Sequence, residues 1–274
     1  MPNGPRKRFG QHFLTDPNIL GRIADAALLE PGDTVIEIGP GRGTLTDALR
    51  ARAAHVIAIE VDRDLVAKLE ARYAGDASVS VVLGDVLETP PGSLGGGRPG
   101  GYVVVGNVPY YITTPIMFHV LACALPRRAV FLVQREVAIR AMADAGSKSY
   151  GALSVNLQVL AHVERVFDIP PGAFKPPPKV DSSVIRVTPL TDPVLREGEQ
   201  GRFRSFVQSL FSQRRKQIGT ILRSLPPSAS GVPAVTLDAL AALGIPPTER
   251  PERLTPLQFV ELFRSSPRNT GIPD

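Results

Sequence analysis

The chain has 274 residues, is 43% hydrophobic and carries a formal net charge of +5 with one cysteine and four histidines, enough for one large domain and a smaller one. Its apolar runs fall short of the ~18 residues of a membrane helix, its start lacks the apolar stretch of a signal peptide, and the lone Cys123 and scattered histidines give neither an internal disulfide nor a zinc motif. A cytoplasmic, metal-free protein is expected; with Arg6, Lys7 and Arg8 unbalanced at the start and eleven Lys/Arg against seven Asp/Glu in residues 193–274, its basic ends fit a polyanionic partner.

Residues 1–9 are polar and Pro/Gly-rich, and read as a flexible basic tail. Gly10-Gln11-His12-Phe13-Leu14 then leads to Asp16-Pro17, which has N-cap and first-turn chemistry for a helix to about Leu29. Fixed just before that helix, Gln11 to Leu14 are placed to fold over a ligand. Thr34–Ile38 reads as a strand feeding Gly39-Pro40-Gly41-Arg42-Gly43-Thr44 and a helix through Leu45 and Leu49. A glycine turn after a strand admits a ligand close to the backbone. The third glycine falls one residue early for G-x-G-x-x-G, and no Walker Lys-Ser/Thr pair follows, so a pyrophosphate site is disfavoured.

His55–Glu60 is the next strand, closing on a carboxylate suited to ribose hydroxyls, with Asp62 capping the helix beyond. Val79–Leu83 ends in Gly84-Asp85, a second acceptor suited to an adenine amino group. Singly, each acid is more often a helix cap. In series with the glycine turn they outline an adenosine-shaped site without phosphate recognition, and S-adenosylmethionine has that outline.

Residues 90–101 form a Gly-rich loop to which no function is assigned. Val103-Val104-Val105-Gly106-Asn107-Val108-Pro109-Tyr110 reads as a buried parallel strand ending in a tight turn. The turn offers an amide side chain, carbonyls before and at the N–H-less Pro109, and the face of Tyr110. Acceptors beside a stacking platform suit a flat, amine-bearing ring such as a nucleobase; an ordinary strand-to-helix turn is the alternative. Thr113/Thr114-Pro115 is expected to start a helix to about Leu125, followed by a strand over 129–133 and a helix over 136–143.

In Phe174-Lys175-Pro176-Pro177-Pro178-Lys179-Val180-Asp181-Ser182, prolines stiffen an aromatic that is expected to be exposed, and Lys179 adds charge. A base-stacking loop beside a phosphate backbone needs that combination; the alternative is a Phe174 that plugs the core. Pro189 to Pro193 marks a boundary, giving domains 1–192 and 193–274. Beyond it, Phe203, Phe206, Val207, Leu210 and Phe211 fall at helical spacing, followed by the basic cluster Arg214-Arg215-Lys216, a linker at 226–231 and short helices over 237–243 and 257–263. The whole reads as α/β, a Rossmann-like domain followed by a small all-α domain.

Gly10-Gln11-His12-Phe13-Leu14, Glu37-Ile38-Gly39-Pro40-Gly41-x-Gly43, Asn107-x-Pro109-Tyr110 and Phe174-x-Pro176-x-Pro178-Lys179-Val180-Asp181-Ser182 together resemble the KsgA-type small-subunit rRNA adenine N6,N6-dimethyltransferases, from about Arg8 to Phe263. The resemblance implies a class I methyltransferase domain using S-adenosylmethionine and no metal, with donor contacts at His12, Leu14, Gly39, Gly41, Glu60, Asp85 and Asn107. It implies Asn107, Pro109, Tyr110 and Phe174 around the target adenine, and Lys179, Arg214, Arg215 and Lys216 on the RNA. The implied partner is small-subunit rRNA in a pre-ribosomal particle, met by a monomer. Position 12 is often Asn in these enzymes, so His12 is a departure. The erythromycin-resistance methyltransferases of large-subunit rRNA share most of these motifs, but Phe211 to Lys216 and Arg250 to Leu254 resemble the small-subunit branch more closely. A non-catalytic RNA-binding assembly factor is a further reading, opposed by the intact Asn107 to Tyr110 turn.

Overall fold

The structure is a computed structural model, describing residues 12–122, 124–196, 198–224 and 235–265. The basic tail, Gly10, Gln11, Cys123 and the linker 226–231 lie outside the described residues. The chain divides into two compact units, residues 1–138 with 163–189 and residues 139–162 with 190–274.

The first unit is built on a seven-stranded sheet. Apolar, β-branched runs with little alternation form its centre, as burial on both faces requires: β2 (Thr34–Ile38), β3 (His55–Glu60) and β5 (Tyr102–Gly106), with β4 (Val79–Leu83) and β6 (Arg128–Gln134) beside them. These five are parallel neighbours. With β7 (Ala161–Ile169) and β9 (Ser182–Pro189) added, the order is β4-β3-β2-β5-β6-β9-β7, and β9 runs antiparallel to β6. From β2 the chain steps outward to β3 and β4, then returns to the other side for β5 and β6. The order therefore reverses between β2 and β5, and ligands of open α/β sheets lie beyond the strand ends at such a reversal.

A separate two-stranded antiparallel ribbon joins β1 (Phe13–Leu14) to β8 (Phe174–Lys175). Helix α1 (Pro17–Ala26) starts as its Asp16-Pro17 pair predicts, the Asp16 carboxylate accepting from the Asn18 and Ile19 N–H groups. The helices α2 (Thr44–Arg50) and α3 (Arg63–Arg72) follow β2 and β3, and Asp62 caps α3. Within the Gly-rich loop, Pro91–Leu94 forms one short helical turn, α4. Helix α5 covers Tyr110–Val120, beginning three residues before the expected Thr113 start and ending before Leu125. Pro109, not the threonine pair, stands at its N-cap, and Pro115 is accommodated inside it.

The second unit is helical around its own core. It takes in residues 139–162, which the sequence expectation placed in the first domain, and its second segment starts at Leu190 where 193 was expected. The reason is apolar: Tyr150, Val155 and Val159 are buried in the same cluster as Phe203, Phe206, Phe259 and Phe263. After α6 (Arg135–Ala141), which crosses the unit boundary, come α7 (Ala152–Gln158), α8 (Glu199–Phe211), α9 (Ile218–Ser224), α10 (Leu237–Ala242) and α11 (Pro256–Arg264). Thr255 and Gln258 form a reciprocal cap at the start of α11.

Candidate active site

The carboxyl ends of β2, β3, β4 and β5 open into one cavity of about 230 Å³. After β2, Gly39 and Gly41 hold φ of 69° and 59°, a region that costs other residues strain. A Cβ on Gly41 would sit 3.0 Å from the Phe13 ring. The Gly39 N–H donates to the Ile59 carbonyl at 3.0 Å, and the Gly41 N–H to Glu60 Oε2 at 3.2 Å.

Glu60 closes β3 and is buried. Its Oε1 accepts from the Val61 and Asp62 N–H groups at 2.9 and 3.0 Å. Burial pushes its pKa up from the usual carboxylate range, and the three N–H donors oppose that shift. Asp85 follows β4 as an exposed side chain, its Oδ1 accepting from the Leu87 N–H at 2.8 Å. Both acids line the cavity with His12, Leu14, Gly39, Gly41, Asn107, Pro109 and Tyr110. All the donor-contact residues implied by the resemblance are thus brought together.

The strip at β1 is fastened on several sides. Leu14 accepts from Thr44 Oγ1 at 3.1 Å, and His12 Nδ1 lies 2.8 Å from the Pro176 carbonyl. A carbonyl only accepts, so the proton is on Nδ1. The guanidinium of Arg42 stands 4.6 Å above the Phe13 ring.

At the end of β5, Asn107 is half-buried, and among the described residues its side chain has no hydrogen-bond partner, which leaves its amide to the cavity. Tyr110 lies three residues on, at the start of α5, its ring 6.0 Å from that of His12 and inclined by 25°. Burial raises the pKa of its hydroxyl, and the hydrogen bond with Ser182 opposes the shift.

Glu37 is a lining residue to which no role was given on sequence grounds. Its Oε2 accepts from Thr46 Oγ1 at 2.5 Å, while Oε1 is buried without a partner. Burial raises its pKa to about 8, with the nearby Glu60 adding to the shift and the Thr46 bond opposing it. A Glu inside an apolar strand was the only available signal. Among the described residues the lining holds three carboxylic acids and no Lys or Arg. Without a basic side chain the lining offers a phosphate no counter-charge, and its acids favour a cationic, nucleoside-like ligand.

One expectation is corrected. Phe174 is 2% exposed, pairs with Leu14 across the β1–β8 ribbon and belongs to the core cluster that includes Leu14, Leu20 and Val184. It is not a lining residue and leaves no face for a base. The ribbon turns it inward, so the prolines stiffen a core plug. Lys179 is exposed in the first unit, and Arg215 and Lys216 are exposed in the second. Arg214 is different, for it pairs with Glu252 at 2.9 Å and donates to the Lys148 carbonyl.

The family model for ribosomal RNA adenine dimethylase matches residues 3–240. The ribosomal RNA small subunit methyltransferase A of Moorella thermoacetica is 44% identical over 269 residues, covering 95% of this chain and 92% of the relative. That of Aromatoleum aromaticum is 42% identical over 258 residues, covering 94% and 92%. Among solved structures, a dimethyladenosine transferase from Plasmodium falciparum superposes with a TM-score of 0.76 at 27% identity, covering 92% of this chain and 96% of that one. The 23S rRNA methyltransferase ErmE gives 0.69 at 30% identity, covering 93% and 99%. With a Rossmann-like fold, a site at the switch point of its sheet and relatives matched over nearly their whole length, the chain belongs to the ribosomal RNA adenine dimethylase family.

Proposed function

We propose that this protein is the small-subunit rRNA adenine N6,N6-dimethyltransferase of its cell, acting in the cytoplasm as a monomer on two adjacent adenosines of the 3'-terminal hairpin within a pre-ribosomal particle. The observation that carries the reading is the meeting of Asn107, Pro109 and Tyr110 with Glu60 and Asp85 in one acid-lined cavity. The higher identity to small-subunit enzymes, 42 to 44% against 30% for ErmE, favours this branch over the large-subunit one.

The cavity's residues fit S-adenosylmethionine. Acids without basic neighbours suit a sulfonium and an ammonium, the turn at Gly39 and Gly41 allows close backbone approach, and the unpartnered Oε1 of Glu37 leaves a buried polar atom for the ligand. Glu60 and Asp85 would hold the ribose and adenine, with His12, Leu14 and Asn107 at the methionine end. When bound, the donor supplies a methyl group already activated by the sulfonium charge.

The chain's own task is geometry. Adenine N6 is a weak nucleophile because its lone pair is delocalised into the ring. Asn107 Oδ1 and the Val108 carbonyl accept hydrogen bonds from its two N–H groups, which turns the lone pair out of conjugation and toward the methyl; the Pro109 carbonyl, the other expected acceptor, is already taken by the Ile112 N–H and Thr113 Oγ1. Tyr110 stacks on the ring. After transfer the nitrogen is cationic and loses its proton to water, so no general base is needed. Lys179, Arg215 and Lys216 meet RNA phosphates.

The test is to map N6,N6-dimethyladenosine in rRNA from cells lacking the gene, then to restore it with purified protein and S-adenosylmethionine on the unmethylated small-subunit particle. Loss of methylation in the large subunit, with the small subunit unchanged, would overturn the reading.

A further inference from the structure

The hydroxyl of Tyr110 is anchored away from the cavity: it hydrogen-bonds Ser182 Oγ at 2.5 Å. Ser182 is fully buried and opens β9, in register with Gln134 of β6. The next serine faces the other side of the sheet, as strand alternation requires, and its hydroxyl donates to Asp168 at 2.6 Å. A tyrosine ring held only through Cβ turns about two torsions. Held also at its far end, the ring keeps one direction for its long axis, and here its plane lies at 25° to the His12 ring.

We propose that Ser182 is a positioning residue that fixes the ring axis of Tyr110 against the target base, and that the second methyl transfer depends on it more than the first. The inference rests on the adenine reading above and deepens it. Unmodified N6 carries two N–H donors, and both acceptors at the Asn107 to Pro109 turn orient it. In each transfer the donor's sulfur–carbon bond breaks as the N6–carbon bond forms, leaving a neutral thioether and a cationic nitrogen that sheds one proton to water. After the first transfer a single N–H remains. One orienting hydrogen bond is gone, so the stacking surface sets more of the base's angle.

The test compares wild type, Ser182→Ala, Tyr110→Phe and the double variant on unmethylated small-subunit particles, with mono- and dimethyladenosine quantified over time and donor affinity measured by calorimetry. Loss of one hydrogen bond of ordinary strength corresponds to about 2- to 10-fold. Each single variant is expected to slow the second transfer ~3- to 10-fold and the first by ~2-fold or less, so that monomethyladenosine accumulates while donor affinity is unchanged. The double variant is expected to be no slower than either single, because both remove one contact. Aromatic carbon–proton NMR relaxation of Tyr110 in the free protein reads the anchor without turnover, and Ser182→Ala is expected to increase the ring's mobility. Additive losses in the double variant, equal slowing of both steps, or an unchanged ring in Ser182→Ala would overturn the proposal. If Ser182→Ala does not fold, Tyr110→Phe leaves β9 intact and decides by the same product ratio. A wild-type protein that leaves the particle unmethylated overturns the proposed function instead.

Discussion

The backbone N–H of Gly41 donates to the carboxylate of Glu60, joining the turn after β2 to the end of β3 at 3.2 Å. Two further N–H groups hold the other oxygen. The acid is thus aimed before any ligand arrives, and no reorganisation is left for binding to drive.

Glu60→Ala removes this fixed acceptor and loosens the turn with it. Hydrogen bonds to charged groups are worth roughly 1.5–3 kcal/mol, so S-adenosylmethionine affinity should fall about tenfold or more. Calorimetry checks this, and unchanged affinity would remove Glu60 from the donor site.

Glu37 gives a pH dependence whose sign is fixed. Its folded pKa, about 8, lies above the ordinary 4.5, so the folded state holds a proton that the unfolded chain releases. Its contribution to stability is full below pH 4.5 and declines as pH rises toward 8. Glu37→Gln keeps the hydrogen-bonding shape without the titration. Denaturant unfolding from pH 5 to 9 should show a flatter profile in the variant, and parallel profiles would contradict the assignment.

Asn107→Ala should lower the rate much more than donor affinity, since the amide orients the nucleophile. A hydrogen bond realised mainly in the transition state is worth ~3 kcal/mol, or about a hundredfold. Single-turnover methyl transfer at the wild-type rate would contradict the mechanism.

Phe174→Ala should behave as a core truncation. A buried Phe→Ala change costs about 3–5 kcal/mol, so the melting temperature should fall sharply. A variant of wild-type stability with slowed methylation would restore a base-stacking role.

Removing Arg214, Arg215 and Lys216 together should flatten the salt dependence of particle binding. Each phosphate contact contributes roughly 0.7 to 0.9 to the slope of log affinity against log salt. Arg214 is already paired with Glu252, so the change should be about 1.4 to 1.8, below the value for three free cations. A slope equal to that of the wild type would place the RNA elsewhere.

Much of this was readable from residues. The β-branched runs of β2, β3 and β5 announced a buried parallel sheet, and the terminal Glu60, Asp85 and Asn107 do meet at one cavity, because strand-end chemistry is local. The fate of Phe174 was not local. Prolines around an aromatic stiffen it equally well outside or inside, and what turned it inward is a partner strand 160 positions earlier, at Leu14. Residues 139–162 were misplaced for a similar reason. Tyr150 and Val155 look apolar in any domain, and only their burial beside Phe203 and Phe263 assigns them. The buried Glu37 was seen as part of a motif, but its raised pKa follows from packing that no spacing encodes.

The ribbon between β1 and β8 also sets a timetable. Leu14 leaves the peptide exit tunnel early, yet the residue it pairs with is Phe174. A nascent chain can lay down β2 to β6 while the strip from His12 to Leu14 still lacks its fastening at Phe174 and Pro176. Closure of the cavity on that side therefore waits for the later part of translation, and premature termination before β8 would release a sheet with one wall of the cavity unsecured.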